Sequence, residues 1–190
     1  MPPESRIFKE EKPVGVTGVI IFLVIILAGG YYIYTVNRVG KLDGIARNLA
    51  GEIDTLLWDR NHVYEQITEL LSGKGIELEE DLTKKQSLGL GMPTAMQMAT
   101  YTEQAKRWNR LLPVLEEHPE LESDEDYKRL RERFDSIRTD LIATGSKHNR
   151  AATDFNSYIG HPLSGFIASR KTKGERAPFS VELAEATAKS

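Results

Sequence analysis

Residues 123–158 read SDEDYKRLRERFDSIRTDLIATGSKHNRAATDFNSY and have the period of one long amphipathic helix. Ser123 is a good N-cap, and Gly160 and Pro162 end the pattern. At 1.5 Å per residue this helix is about 54 Å long, and its apolar face must be buried against partners. Successive apolar positions recur at the helical spacing of a coiled-coil seam. The seam consists of Tyr127, Leu130, Phe134, Ile137, Leu141, Thr144, His148, Ala151, Phe155 and Tyr158.

Two other segments have the same period. Residues 37–72 carry a second heptad seam, which stops at the glycines of 73–75, and residues 93–118 carry a third. No segment alternates apolar and polar residues with the period of two that is typical of strands. The sequence therefore predicts an all-α fold in which long helices pack as a bundle.

An apolar span precedes these helices. The 25 residues from Pro13 to Asn37 contain no Asp, Glu, Lys, Arg or His, and about 20 apolar residues suffice to cross a bilayer. We predict a transmembrane helix over residues 14–36 after a short N-terminal tail, residues 1–13. A signal peptide cleaved near residues 28–30 is the alternative. Basic residues flank the span on both sides, so they do not determine its orientation.

The composition excludes several classes of function. The net charge of −3 argues against a nucleic-acid partner, and the absence of cysteine excludes disulfides, Cys-ligated metals and thiol catalysis. The four histidines have neither His-x-x-x-His nor Glu-x-x-His spacing. His148 lies on the seam and is interpreted as a core histidine. We therefore assign no catalytic, cofactor-binding or metal-ligating residue and no cofactor.

Three polar features remain open to interpretation. Asp54 and Arg60 form either a buried ion pair or, as we favour, the edge of the seam. Asn149 and Asn156 are seven residues apart beside the seam, where amides usually fix helix register, although ligand binding is an alternative. The acidic run 77–81 is expected to be solvated, with a cation site as the alternative.

Several short motifs lie in the C-terminal half of the chain: Glu116–Leu121, His148-Asn149, Phe155-Asn156, Ile159–Leu163 and Pro178-Phe179. They resemble motifs of the LemA family of bacterial membrane proteins. That family has an E-x-Y-P-x-L turn, two Tyr-Asn pairs seven apart and an I-x-x-F-P exit. In this chain the family's tyrosines are replaced by histidine and phenylalanine, and residues 74–95 do not match.

The resemblance implies a membrane helix followed by a helical bundle, without an established reaction. It also implies a break of the first long helix near Asn61–Gln66. We thus expect an up-and-down bundle of about four long antiparallel helices over residues 37–171, which returns Tyr158 to the neighbourhood of Asn37. The alternative of three helices leaves these two residues far apart. The tail, residues 172–190, is expected to be partly disordered, with Phe179 and Val181 as its anchors.

These observations favour a non-enzymatic, single-pass protein of a bacterial cell or internal membrane. It contacts the lipid bilayer through residues 14–36 and serves as a protein-interaction or membrane-organising module, with membrane or soluble protein partners and no nucleic acid. The alternative is a ligand- or metal-binding bundle, with or without catalysis. Leu163, Phe166 and Ile167 share a helical face ahead of basic residues, and this face either meets the bilayer interface or caps the bundle.

The anchor is predicted to be uncleaved, because its apolar character continues to Val36 and the helix continues beyond it. Protein recovered from membranes should have the mass of the full chain and should resist extraction with alkaline carbonate. A soluble mature form that starts near Tyr31 would contradict this prediction.

Overall fold

The computed structural model describes residues 15–170 and 174–189, and these ranges contain helices and connecting segments without a strand. The all-α fold class is therefore confirmed. A short 3-10 turn, Pro119–Ser123, lies between the third and fourth helices. The helices are α1 (Val16–Gly73), α2 (Glu80–Thr83), α3 (Thr94–Glu116), α4 (Glu125–Gly160), α5 (Pro162–Ala168) and α6 (Val181–Ala188).

The first helix, α1, is continuous over 58 residues. Its N-terminal part is exposed, and Thr35 is the first of its buried residues. The predicted break near Asn61–Gln66 is wrong. This stretch has no proline that would remove a backbone hydrogen bond, and Asn61, Val63 and Tyr64 are buried in the bundle.

The long helices do not simply alternate in direction. Lys74, just after α1, forms an ion pair of 2.5 Å with Asp124 at the start of α4, whereas Phe155 near the end of α4 packs in a cluster with Val39. Helices α1 and α4 are therefore antiparallel. Early in α3 Gln97 bonds to Asp54, and later in α3 Arg107 lies over Tyr64, so α3 runs parallel to α1.

A crossover segment, residues 74–93, makes this parallel arrangement possible. It runs back along α1, since the Gln86 carbonyl bonds to Asn61 and the Gly91 amide bonds to Asp54. Three long helices and this crossover thus replace the predicted run of four antiparallel helices. Tyr158 nevertheless packs against the cluster that contains Val39, so it lies near Asn37 as expected. The chain reaches this position through three long helices and the crossover, and not through four long helices.

The core has two parts. A large cluster joins α1, α3 and α4 with the C-terminal segment, and its fully buried members include Ile53, Leu57, Tyr101 and Ile137. A small cluster near the N-terminal end of the bundle contains Val39, Leu42, Phe155 and Ala168.

The C-terminal tail is more ordered than predicted. Residues 172 and 173 lie outside the described ranges, but residues 174–189 run as an extended segment and then as α6, which packs mainly on α3. Phe179 and Val181 are buried as expected, and Ala184 is buried with them. The tail is therefore held at more points than Phe179 and Val181 alone, because Ala184 is also buried and polar side chains of α4 bond to the tail backbone.

The topology predicts which positions can be linked chemically. Asn37→Cys with Tyr158→Cys should accept a short bifunctional crosslinker, because Tyr158 packs against the cluster of Val39 and Leu42. Leu71→Cys with Tyr158→Cys should not, since Leu71 lies about 48 Å farther along α1 than Val39. The chain has no cysteine, so gel mobility of the two double variants reports the result directly. Efficient linkage of residue 71 to residue 158 would contradict the antiparallel packing of α1 and α4.

Candidate functional site

Polar side chains on the long helices hold the two extended segments of the chain. A buried backbone N–H or C=O needs a hydrogen-bond partner, and an extended segment beside a helix has no neighbouring strand to supply one. The helices supply it through amide, carboxylate and guanidinium groups. The two segments are the crossover, apart from its short helix α2, and residues 174–180.

Asn149 and Asn156 clamp residues 174–180. The Asn149 side-chain amide donates to the Phe179 carbonyl at 2.7 Å, and its oxygen accepts from the Phe179 N–H at 2.7 Å. Asn156 makes the same pair of bonds with Arg176, at 2.9 and 2.8 Å. Each asparagine thus satisfies one backbone donor and one acceptor.

The spacing of the two asparagines follows from this geometry. Seven residues of helix advance about 10.5 Å, and three residues of extended chain advance about 10 Å. Two asparagines seven apart on α4 therefore meet backbone groups three apart on the tail. The expected hydrogen-bonding role of Asn149 and Asn156 is present, but their partner is the tail and not a neighbouring long helix.

The Phe179 ring fills a close-fitting place on α4. A Cβ atom built on Gly145 would lie 2.9 Å from Cδ1 of Phe179, so this ring approaches α4 where a side chain is absent. The ring also packs edge-on to Tyr101, with centroids 6.4 Å apart. Beside it a groove of about 550 Å³ remains open, lined by α4 and by residues 179–182.

The start of the described tail is fixed by charge as well. The Arg176 guanidinium donates to Oδ1 of Asp43, with a distance of 3.0 Å from Nε, and Arg47 also pairs with Asp43. Asp43, a residue of α1, is 7% exposed, and its two cationic partners compensate its buried carboxylate. The tail thereby connects α4 with the part of α1 that lies near the apolar span.

The crossover is held in the same manner by three buried residues. Asp54 accepts from the Gly91 and Met92 amides at 2.7 and 3.1 Å and from Gln97 at 2.7 Å. Asn61 donates to the Gln86 carbonyl at 3.3 Å. The third residue, Arg107, donates to the carbonyls of Leu82 and Lys84 at 2.9 and 2.8 Å.

Asp54 and Arg60 do not behave as the sequence predicted. Both are 2% exposed, so neither lies at the edge of the seam, and no ion pair joins them. The Arg60 guanidinium lies between two rings, 4.6 Å from the centroid of Tyr101 and 4.4 Å from that of Phe134. Its Nη1 donates to Gln104 at 3.1 Å, and burial lowers the pKa of Arg60.

The stack extends beyond Phe134. The Trp108 ring stacks on Phe134 with centroids 4.1 Å apart, and Arg131 lies 4.6 Å from the Trp108 centroid. Cation–π attraction strengthens when the cation is desolvated, which is the state of Arg60. These stacked rings and cations form one column of side chains, which joins α1, α3 and α4. In order, the column consists of Tyr101, Arg60, Phe134, Trp108 and Arg131.

Glu185 of α6 ties the tail to this column. It accepts from the Tyr101 hydroxyl at 2.7 Å and from Arg138 at 2.7 and 2.8 Å. The hydrogen bonds from Arg138 are the main cause of the lowered pKa of Glu185. Burial is the main cause of the raised pKa of Tyr101, which therefore stays a neutral donor.

His148 is 1% exposed and lies in the core, which agrees with its interpretation from the seam. Burial lowers its pKa, so the neutral imidazole is favoured, and its Nδ1 has no hydrogen-bond partner. In the described ranges no group of three His, Cys, Asp or Glu residues is arranged to hold a metal ion. The acidic run is exposed, and Glu79 and Asp81 pair with Arg110.

The sequence alone pointed to some of these groups and not to others. The separation of seven residues between Asn149 and Asn156 was visible in the sequence. Phe179 and Val181 were the expected anchors of the tail. Arg107 and Glu185 were not singled out, because a long charged side chain on a helix has the same appearance in sequence whether it is solvated or buried.

The N-terminal half of α1 has the properties of a membrane span. In the described ranges it is the one helix that is long and apolar enough to cross a membrane, with a mean hydropathy of 2.4 in its most apolar window. None of that window is buried in the bundle. By length and composition, this part of α1 is compatible with a membrane anchor.

The fold is thus that of an all-α bundle with a long apolar N-terminal helix and a clamped C-terminal tail. The family model described as LemA family matches residues 52–190, which is well over half of the chain. The chain belongs to the LemA family. The comparison with curated proteins and the comparison with solved structures give no match.

Asn149→Asp is expected to destabilise the bundle by about 1–3 kcal/mol near neutral pH, because the carboxylate loses the donor to the Phe179 carbonyl and leaves that acceptor unpaired. Thermal unfolding of the full chain in detergent, followed by circular dichroism, measures the loss. The control is Asn48→Asp, which makes the same change at an exposed position of α1. Equal unfolding midpoints for the two variants would contradict the clamp.

Proposed function

We propose that this protein is a single-pass, membrane-anchored helical bundle that serves as a protein-interaction or membrane-organising module, without a reaction of its own. The anchor in this proposal is the apolar part of α1. The bundle presents binding surfaces at a fixed distance from the membrane. Its partners are other proteins, in the membrane or beside it.

The continuity of α1 is the observation that carries the proposal. One helix of 58 residues, about 87 Å long, contains both the apolar span and the central element of the bundle. No loop separates the two parts, so the bundle would move with the anchor as one rigid body. This is a favourable construction for a module that must hold a partner at a defined height and angle.

Trp58 and Leu90 are two of the large apolar side chains that are exposed on the bundle outside the span. Trp58 on α1 is 50% exposed and stacks on the neighbouring His62, with ring centroids 5.4 Å apart. Leu90 on the crossover is 79% exposed, next to the Gly91 that bonds to Asp54 one turn before Trp58. Exposed tryptophan is enriched among residues that dominate binding energy at protein interfaces. We propose the surface around Trp58 and Leu90 as the protein-binding surface.

Photo-crosslinking in native membranes tests this function. Benzoylphenylalanine is placed at Trp58 or Leu90 of the full chain, and the control carries it at Ser136, an exposed position of α4. Discrete adducts are expected from positions 58 and 90 and not from position 136. The same partner should be lost from mild-detergent purification of the Trp58→Ser variant.

Adducts that are absent at both positions, or equal at all three, would contradict an interaction role for this surface. Circular dichroism of each variant shows whether the bundle is intact. Because Trp58 is half exposed, its replacement by serine should leave the helical signal unchanged.

A further inference from the structure

Helix α5 lies beside α1 at the point where the apolar span ends. Thr35 is the first buried residue of α1, and Ala168 of α5 belongs to the small cluster that contains Val39 and Leu42. The apolar span predicted from the sequence ends at Val36, which is about 4.5 Å along the helix axis from Val39. The position of α5 is thus within the depth of a headgroup layer from the end of the span.

The orientation of α5 is fixed by contacts with the end of α4. The Ser164 hydroxyl donates to the Tyr158 carbonyl. Gly165 packs so closely that an added Cβ would lie 2.3 Å from the Ile159 carbonyl oxygen. Ser164 and Ala168 are each 2% exposed and form the inner face. Capping of the bundle end is therefore done by these small residues.

The large apolar residues of α5 lie on the opposite face. Leu163 is 71% exposed and Phe166 is 63% exposed, although each would be expected in a core if it served only to cap the bundle. Arg170 follows them, and its guanidinium lies 4.5 Å from the Phe166 ring centroid. Arg38 and Lys41 are exposed on α1 within two turns of the end of the span.

We propose that α5 is a second membrane contact, in which Leu163 and Phe166 insert into the interface of the leaflet next to the bundle and Arg170 binds anionic lipid phosphate. This inference rests on the proposed anchoring through α1. Its occupant is lipid because α5 lies at the end of an apolar span whose most apolar window has no residue buried in the bundle. An apolar face with cationic residues at its edge has the composition of an interfacial segment. The contact fixes the tilt of the bundle relative to the membrane.

Nitroxide labels on single cysteines measure the depth of each position. The full chain is reconstituted in vesicles of phosphatidylcholine and phosphatidylglycerol, with labels at Leu163, Phe166, Ile25 or Lys147. Oxygen partitions into lipid and a nickel chelate into water, so the ratio of their collision rates reports the environment. Ile25 lies in the span, and Lys147 is an exposed control on α4, about 20 Å from the end of that helix.

Oxygen is expected to dominate at positions 25, 163 and 166, and the nickel chelate at position 147. Oxygen at 25 with nickel at 163 and 166 would overturn the contact of α5 and leave the anchor standing. Low collision rates with both reagents at 163 and 166 would also overturn the contact, because the apolar face would then be covered by protein. Nickel at position 25 would overturn the anchor, and with it this inference.

A second variant tests whether Phe166 itself holds α5 in the interface. Phe166→Ser in the chain labelled at residue 163 should lower the oxygen-to-nickel ratio several-fold, whereas Ser169→Ala, a matched change at an exposed position of the same segment, should not. Replacing phosphatidylglycerol by phosphatidylcholine should lower the ratio at residue 163 and leave it unchanged at residue 25. A ratio at residue 163 that is insensitive to both changes would overturn the assignment of Phe166 and of anionic lipid.

Discussion

The backbone groups of two extended segments must find hydrogen-bond partners, and the rest of the structure depends on how this is done. An extended chain that lies on helices cannot form a sheet, and an unpaired buried N–H or C=O costs about 1–3 kcal/mol. The bundle meets this requirement with polar side chains that are themselves buried or half-buried. Asp54, Asn61 and Arg107 serve the crossover, and Asn149 and Asn156 serve the tail. The topology of parallel α1 and α3 is possible because the crossover can be held this way.

The same requirement explains why buried charge is tolerated in the core. Asp54 is compensated by three hydrogen-bond donors, and Asp43 by two guanidinium groups. Arg60 has aromatic faces on both sides and an amide oxygen as its acceptor. Removing one of these partners leaves a buried charge less fully compensated, which costs more than the loss of the contact alone. The polar core therefore specifies the path of the tail and of the crossover together.

The tail links the two ends of the molecule. Glu185 connects it to the column of rings and cations between α1, α3 and α4, and Arg176 connects it to Asp43 near the apolar span. Helix α5 follows α4 in the chain and precedes this tail, and it packs against both α4 and α1. In the proposed membrane setting, the residues closest to the bilayer are therefore braced by contacts that extend through the bundle.

The sequence by itself determined the three amphipathic helices, the apolar span and the similarity to the LemA family. These depend on local periodicity, on caps and on residues near each other in the chain, such as the seam from Tyr127 to Tyr158. It also located both asparagines and the apolar anchors of the tail. The seam of residues 37–72 already favoured a continuous α1, and the structure agrees with it rather than with the break that the resemblance implied. Tertiary structure alone decided that the crossover returns the chain to Asp54 and that Arg60 is buried between rings. The physical reason is that the partners of the buried polar groups are mostly backbone atoms. Every residue except proline carries the same N–H and C=O, so the residues that Asn149 or Arg107 will meet have no signature in the sequence.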